Sequence, residues 1–136
     1  MADNLVDSSV WIPSIRRRAN PRIAGHLREA AARGTLWIGG MIELEVLAGA
    51  NSQTEFDQMR SRLDAARRLD TAESDWLEAA VIGTRMRRIG LTVGSPDLLI
   101  ATLAIREKLT LLHADADFDR MAEHCDLTVE SLVHLT

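Results

Sequence analysis

A chain of 136 residues, 46% apolar and 26% charged, has the length for one hydrophobic core and the balance of a folded globular protein, which excludes intrinsic disorder. No apolar run approaches the roughly 20 residues of a membrane span, so no membrane-spanning helix is expected. The formal charge of -4 is the wrong sign for a general nucleic-acid binder, whose footprint is basic, unless cations occupy several of the acids.

In chain order, the first predicted element is a strand, NLVD, around Leu5 and Val6, ended by Asp7. Pro21 then opens PRIAGHLREAAARG, a helix stopped by Gly34, and TLWIG gives a second strand at Leu36 to Ile38. An apolar helix, MIELEVLAGA, follows over Met41 to Ala50. From Ser52, SQTEFDQMRSRLDAARRLD reads as one helix with Phe56, Met59, Leu63 and Ala66 on its apolar stripe. The next helix, SDWLEAAVIGTRMRRIG, sets Trp76, Leu77, Ala80, Val81 and Thr84 along one side, for core or partner contact, and ends at Gly90. In SPDLLIATLAIREK, Ser95 is the expected cap and Pro96 the first helical residue. The strand LTLLH, Leu109 to Leu112, and the short LTV, Leu127 to Val129, complete the chain. Strands of continuous apolar character alternating with helices predict an α/β fold with a mostly parallel sheet covered on both faces. No linker or repeat divides residues 1–136, so a single domain is expected.

The chemistry-bearing residues are acids. Asp7 ends a strand, at the sheet edge where parallel folds place their ligands, although the same position also suits a helix N-cap. Asp97 lies in the first turn of its helix, where the dipole favours a carboxylate whatever its function. Within HADADFDRM, His113 to Met121, Asp115, Asp117 and Asp119 alternate just after an apolar strand. Glu43 and Glu45 interrupt their apolar helix on nearly opposite sides, so only one can face a common site. The small residues Ala48 and Gly49, one turn beyond Glu45, favour Glu45.

Several metal and phosphate chemistries use acids at alternate positions. A calcium loop beginning at Asp115 would need glycine where Arg120 stands and a bidentate glutamate where Asp126 stands, and is excluded. A nucleophilic-aspartate phosphatase would need a small residue at Asp119 and most of its fold afterwards. A receiver domain would need a lysine after a late strand, but the only lysine, Lys108, precedes its strand. Glycine-rich phosphate loops and nucleophilic serine motifs are missing. A nuclease holding magnesium through converging carboxylates and substrate phosphate needs no such local geometry. Arginines at Arg16 to Arg18 and Arg85 to Arg88 are of the side-chain type whose planar fork suits phosphate.

LVDSSVWI with Asp7, ELEVLAG with Glu45, GSPDLLIATLAI with Asp97, and LTLLHADADF with Asp115 and Asp117 together resemble a PIN-domain protein of the VapC toxin family, from Leu5 to about Thr128. The resemblance implies a three-layer α/β/α fold and a Mg2+-dependent endoribonuclease, with Mn2+ as a substitute. It also implies the toxin of a type II toxin-antitoxin pair, with tRNA or rRNA loops as targets. It assigns Asp7, Glu45, Asp97 and Asp115 as the catalytic acids, selecting Glu45 because that glutamate precedes the motif's glycine by four residues. Asp7, Asp97 and Asp115 are implied as metal ligands, with Asp117 an auxiliary one. Ser9 is implied to orient Asp7. His113 stands where many relatives carry serine or threonine, and could touch substrate or tune the cluster. The implied partners are a VapB-like antitoxin, RNA and a second copy of the chain, in toxin-antitoxin hetero-oligomers. The single cysteine, Cys125, and a start without a secretory pattern make the cytoplasm the expected location. The alternative is a PIN scaffold that binds a partner peptide without catalysis, for which loss of one or more acids would be the sign.

Overall fold

A computed structural model describes residues 3–136. Five parallel strands form one sheet in the order β3-β2-β1-β4-β5, with β1 at Asn4–Val6, β2 at Leu36–Gly39, β3 at Arg67–Leu69, β4 at Thr110–His113 and β5 at Val129–Ser131. Between β1 and β2 run α1 (Ser8–Ile15) and α2 (Pro21–Arg33); α3 (Gly40–Leu47) and α4 (Gln53–Leu63) lead into β3. The helices α5 (Glu73–Arg88) and α6 (Ser95–Arg106) cross back to β4, and α7 (Ala116–Ala122) joins β4 to β5. Right-handed crossovers put α1 to α4 on one face and α5 to α7 on the other, a three-layer α/β/α arrangement. Most helix packing follows this division, α1 against α2 and α3, α3 against α4, and α5 against α6, while α3 and α6 also meet.

The central strands β1 and β4 are buried on both faces: Leu5, Val6, Leu111 and Leu112 have no exposed surface. They are also neighbours at which the chain departs in opposite directions, toward β2 from β1 and toward β5 from β4. Such a switch point leaves a crevice at the carboxyl ends of the strands. Asp7 follows β1 there and Asp115 follows β4.

Four sequence expectations require correction. The segment from Ser52 is not one helix: Ser52 caps α4 through Glu55 N–H, but α4 ends at Leu63 and Arg67–Leu69 pairs with β2 instead. Only Leu69 of that edge strand is buried, so it carries no apolar run to announce it, and Arg67 lies 4.9 Å over the Trp37 ring. Tertiary pairing overrides local helical preference here. On α5 the inward side is Asp75, Ala79, Ile82 and Met86, while Trp76 and Leu77 are 55% and 70% exposed. Trp76 is thus not a core residue, whereas Trp11 is. The N-cap of α6 is Gly94, with Ser95 first in the helix and Pro96 second. The last strand is Val129–Ser131 rather than Leu127 to Val129. Sequence reading also missed α1 and α7 as helices, and both bear on the site.

Two details hold α6 in place. Gly83 lets α5 approach closely, since a Cβ there would stand 2.8 Å from Leu98 Cδ1. At the other end Lys108 turns the chain with φ 53, and the N–H groups of Lys108 and Leu109 donate to the carbonyls of Ile105 and Ala104, a Schellman closure. A lysine in the left-handed region is costly, so Lys108→Gly is expected to raise stability by up to about 1 kcal/mol. A higher urea midpoint with an unchanged slope checks this; a lower one would mean that the lysine side chain contributes more than its backbone costs.

Candidate active site

Each acid arrives on a different element. Asp7 is the N-cap of α1, one of the two sequence readings of it: its Oδ2 accepts from Ser9 N–H at 3.1 Å and Ser9 Oγ at 2.6 Å. Ser9 Oγ in turn accepts from the Ala114 N–H at 2.9 Å, which fastens α1 to the end of β4. The expected orienting contact of Ser9 is therefore present. Asp7 is 3% exposed, and its Oδ1 is buried without a hydrogen-bond partner among the described residues.

Asp115 repeats the design at the end of β4. It caps α7, its Oδ1 accepting from Asp117 N–H at 2.9 Å, which leaves its second oxygen for a ligand. Asp97 stands in the first turn of α6. One oxygen each of Asp97, Asp115 and Asp117 lies within 4.8 Å of the others. Asp7 and Glu45 are outside that tight trio but act on it electrostatically. Glu45, on α3, accepts from Ser8 Oγ at 3.3 Å. Glu43 turns away to pair with Arg68 at 2.5 Å.

Burial and neighbouring negative charge raise the proton affinity of Asp97, Asp7 and Glu45. Burial first, then the charges of Asp7, Asp115, Glu45 and Asp117, push Asp97 up to about 7. Burial likewise raises Asp7, against the hydrogen bonds from Ser9, and burial with the charge of Asp7 raises Glu45. A carboxyl with a folded pKa above its unfolded one binds more protons when folded, so its contribution to stability is present at low pH and lost as pH rises. Buried His113 has the opposite sign, its pKa being lowered by burial, which masks the trend below about pH 6.5. Comparison with Asp97→Asn isolates the acid. In EDTA the variant is expected to gain on the native protein as pH rises from about 4 to 7, reaching on the order of 1–2 kcal/mol after allowance for solvent screening. Urea unfolding at pH 5 and 8 measures it; a gap independent of pH would contradict the crowding of charge.

His113 does not point into the hollow. Its side chain is fully buried, its Nδ1 accepts from Asp115 N–H at 3.1 Å, and its Nε2 lies 3.0 Å from Asp119 Oδ1. In this arrangement His113 offers no exposed surface to a substrate. Sequence reading gave no role to three neighbours: Ser8, which has no pattern to mark it; Asp119, noted there only as the third alternate acid, which serves His113; and Arg120, whose Nη1 donates to Asp117 Oδ1 at 2.6 Å. The last was visible as an opposite-charge pair three residues apart on a helix.

The donor set fits a hard divalent cation. It is all carboxylate oxygen, without sulfur or an available imidazole, which suits magnesium or manganese rather than zinc. The buried, unpartnered Oδ1 of Asp7 is what a cation or its water would satisfy.

A parallel α/β/α fold with its acids at the sheet's switch point is the architecture of the PIN domain, and residues 5–124 match that family. The chain belongs to the PIN-domain family, in its VapC group. A VapC ribonuclease of Mycobacterium bovis and Ribonuclease VapC11 of Mycobacterium tuberculosis are each 35% identical to it over 134 residues, covering 93% of this chain and 97% of theirs. Among solved structures, VapBC2 from Rickettsia felis, bound to a DNA fragment from its promoter, superposes with a TM-score of 0.80 at 20% identity, covering 95% of this chain and 98% of that one.

Proposed function

We propose that the protein is a metal-dependent endoribonuclease and the toxin of a type II toxin-antitoxin pair, acting through one nuclease domain over residues 1–136. The observation that carries this reading is the meeting of Asp97, Asp115 and Asp117 within 4.8 Å. Names of relatives such as Ribonuclease VapC11 support the reaction class. Complete retention of the acids weighs against a scaffold that only binds a peptide.

Asp97, Asp115 and Asp117 would hold Mg2+, or Mn2+ in its place, with Asp7 contributing its free Oδ1. Once bound, the ion supplies a more acidic water and offsets charge on the phosphate undergoing in-line attack. The chain's own residues do the rest. Ser9 and the start of α1 hold Asp7 through Oδ2 and leave its Oδ1 unpaired among the described residues. Glu45, steadied by Ser8 and raised in pKa, is suited to exchange a proton beside the reacting atoms. Arg120 is within reach of a phosphate bound over Asp117, and the exposed Arg16 to Arg18 and Arg85, Arg87 and Arg88 are further phosphate contacts. Cleavage would leave a 5′-phosphate and a 3′-hydroxyl in a single-stranded loop of a structured RNA, tRNA or rRNA, where unstacked bases can be read.

The partners are a cognate VapB-like antitoxin and a second copy of the chain, in the cytoplasm. VapBC complexes among the fold's neighbours support the first. No helix among the described residues is long and apolar enough to cross a membrane.

Sequencing of 5′-phosphorylated RNA ends after brief expression of the free protein tests the proposal, with the purified protein assayed beside it in Mg2+ and in EDTA. A small set of sites in one structured RNA, lost in EDTA, is expected. Cleavage that persists in EDTA would overturn the metal-dependent reading.

A further inference from the structure

We infer that His113 is a positioning residue of this site: it holds the backbone of Asp115 through Nδ1, and Asp119 fixes the tautomer that allows it. The inference rests on the metal-site reading above and adds a device to it.

A ring nitrogen can accept a hydrogen bond only when it carries no proton. Nδ1 accepts from the Asp115 N–H, so the proton of the neutral ring is on Nε2. There it needs an acceptor, because the His113 side chain is 0% exposed and a buried donor without a partner is costly. Asp119 Oδ1 takes it at 3.0 Å, and Asp119 is oriented through Oδ2 by Ser131 Oγ at 2.8 Å. Ser131 is the β5 residue in register with His113 on β4, so the relay is anchored on two paired strands. Phe118 closes the ring's face, with centroids 5.2 Å apart.

The result at Asp115 is a residue held at three points. Its N–H is fixed by His113, its carbonyl accepts from Phe118 N–H at 3.1 Å, and its Oδ1 accepts from Asp117 N–H. Oδ2 carries none of these bonds and is open to a ligand. Backbone rotation at the N-cap would move the Asp115 carboxylate relative to Asp97 and Asp117, and His113 is one of the contacts that resist it. The three alternate acids thus divide the work: Asp115 and Asp117 face the hollow, and Asp119 serves the histidine.

Two substitutions separate the bonds. His113→Asn places an amide oxygen near the position of Nδ1 and gives up Asp119; His113→Gln reaches toward Asp119 and leaves the Asp115 N–H without its acceptor. Mn2+ affinity of the full chain is read from the paramagnetic resonance of the free ion, and stability from urea unfolding. The Asn variant is expected to bind within about threefold of the native protein and the Gln variant about tenfold or more weaker, at similar urea midpoints. Equal affinity in the two variants, or the reverse order, overturns the role of His113. Native protein that binds no Mn2+ overturns the metal site itself and this role with it. If either variant fails to fold, long-range proton–nitrogen NMR of the native protein decides: the Nε2–H tautomer of His113 is expected, and the Nδ1–H tautomer overturns the inference.

Discussion

Asp97→Asn is expected to abolish cleavage, at least about 100-fold and as much as 1,000-fold, while the folded protein becomes more stable at pH 8. Asparagine keeps the shape and the helix position but removes the charge from one of the three oxygens that lie within 4.8 Å of one another. The same replacement relieves the repulsion that pushes Asp97 up to about 7. Opposite movement of activity and stability is the mark of a site that crowds like charges to capture a cation. Asp7→Asn should lose cleavage to a similar extent, while the remaining amide oxygen can still accept from the Ser9 N–H and cap α1. Initial rates on a loop RNA in saturating Mg2+, set beside urea midpoints, give both readouts. Cleavage within tenfold of the native rate in either variant would remove that acid from the reaction.

Arg106→Ala is expected to cost about 3–5 kcal/mol, the largest single loss of stability foreseen outside the site. Asp75, in the first turn of α5, is 2% exposed; its carboxylate accepts from Ala72 N–H at 2.6 Å and pairs with Arg106 Nη1. Arg106 also donates through Nη2 to the Asp70 carbonyl at 2.9 Å, so one guanidinium ties the last turn of α6 to the start of α5 and the segment before it. Truncation leaves a buried carboxylate with one donor. Arg106→Ala with Asp75→Leu should recover part of the loss, because the pair is replaced by apolar packing instead of being broken. Since α6 carries Asp97 at its opposite end, Mn2+ affinity should fall only where the fold loosens. A loss below about 1 kcal/mol in urea unfolding would show that solvent reaches Asp75 more freely than its burial implies.

What could be read from the chain depended on how local the cause was. The strands at Leu5, Ile38 and Leu111 are apolar runs that only a sheet covered on both faces accommodates, so order and class were legible. Gly90 and Pro21 mark helix ends by their own backbone chemistry. The strand Arg67–Leu69 had no such mark: two of its residues are exposed arginines, and pairing to β2 exists only after folding. The outward side of α5 was misjudged for a related reason. Trp76 and Leu77 are more apolar than Ala79, yet it is the small residue that lets α5 lie against its neighbours.

The site divides along the same line. Asp7, Asp97, Asp115 and Asp117 could be singled out from sequence because acids at strand ends and helix starts are local features. Glu45 is favoured over Glu43 by the small residues beyond it and by the family motif, but the contacts that set the two apart, Ser8 for Glu45 and Arg68 for Glu43, lie 37 and 25 residues away. The sequence by itself determined that acids reach the carboxyl edge of a parallel sheet, since periodicity and turn chemistry act over a few residues. Only the tertiary structure decided which oxygens meet, and that His113 faces Asp119 and the Asp115 backbone rather than substrate, because direction is set by packing between elements distant in the chain.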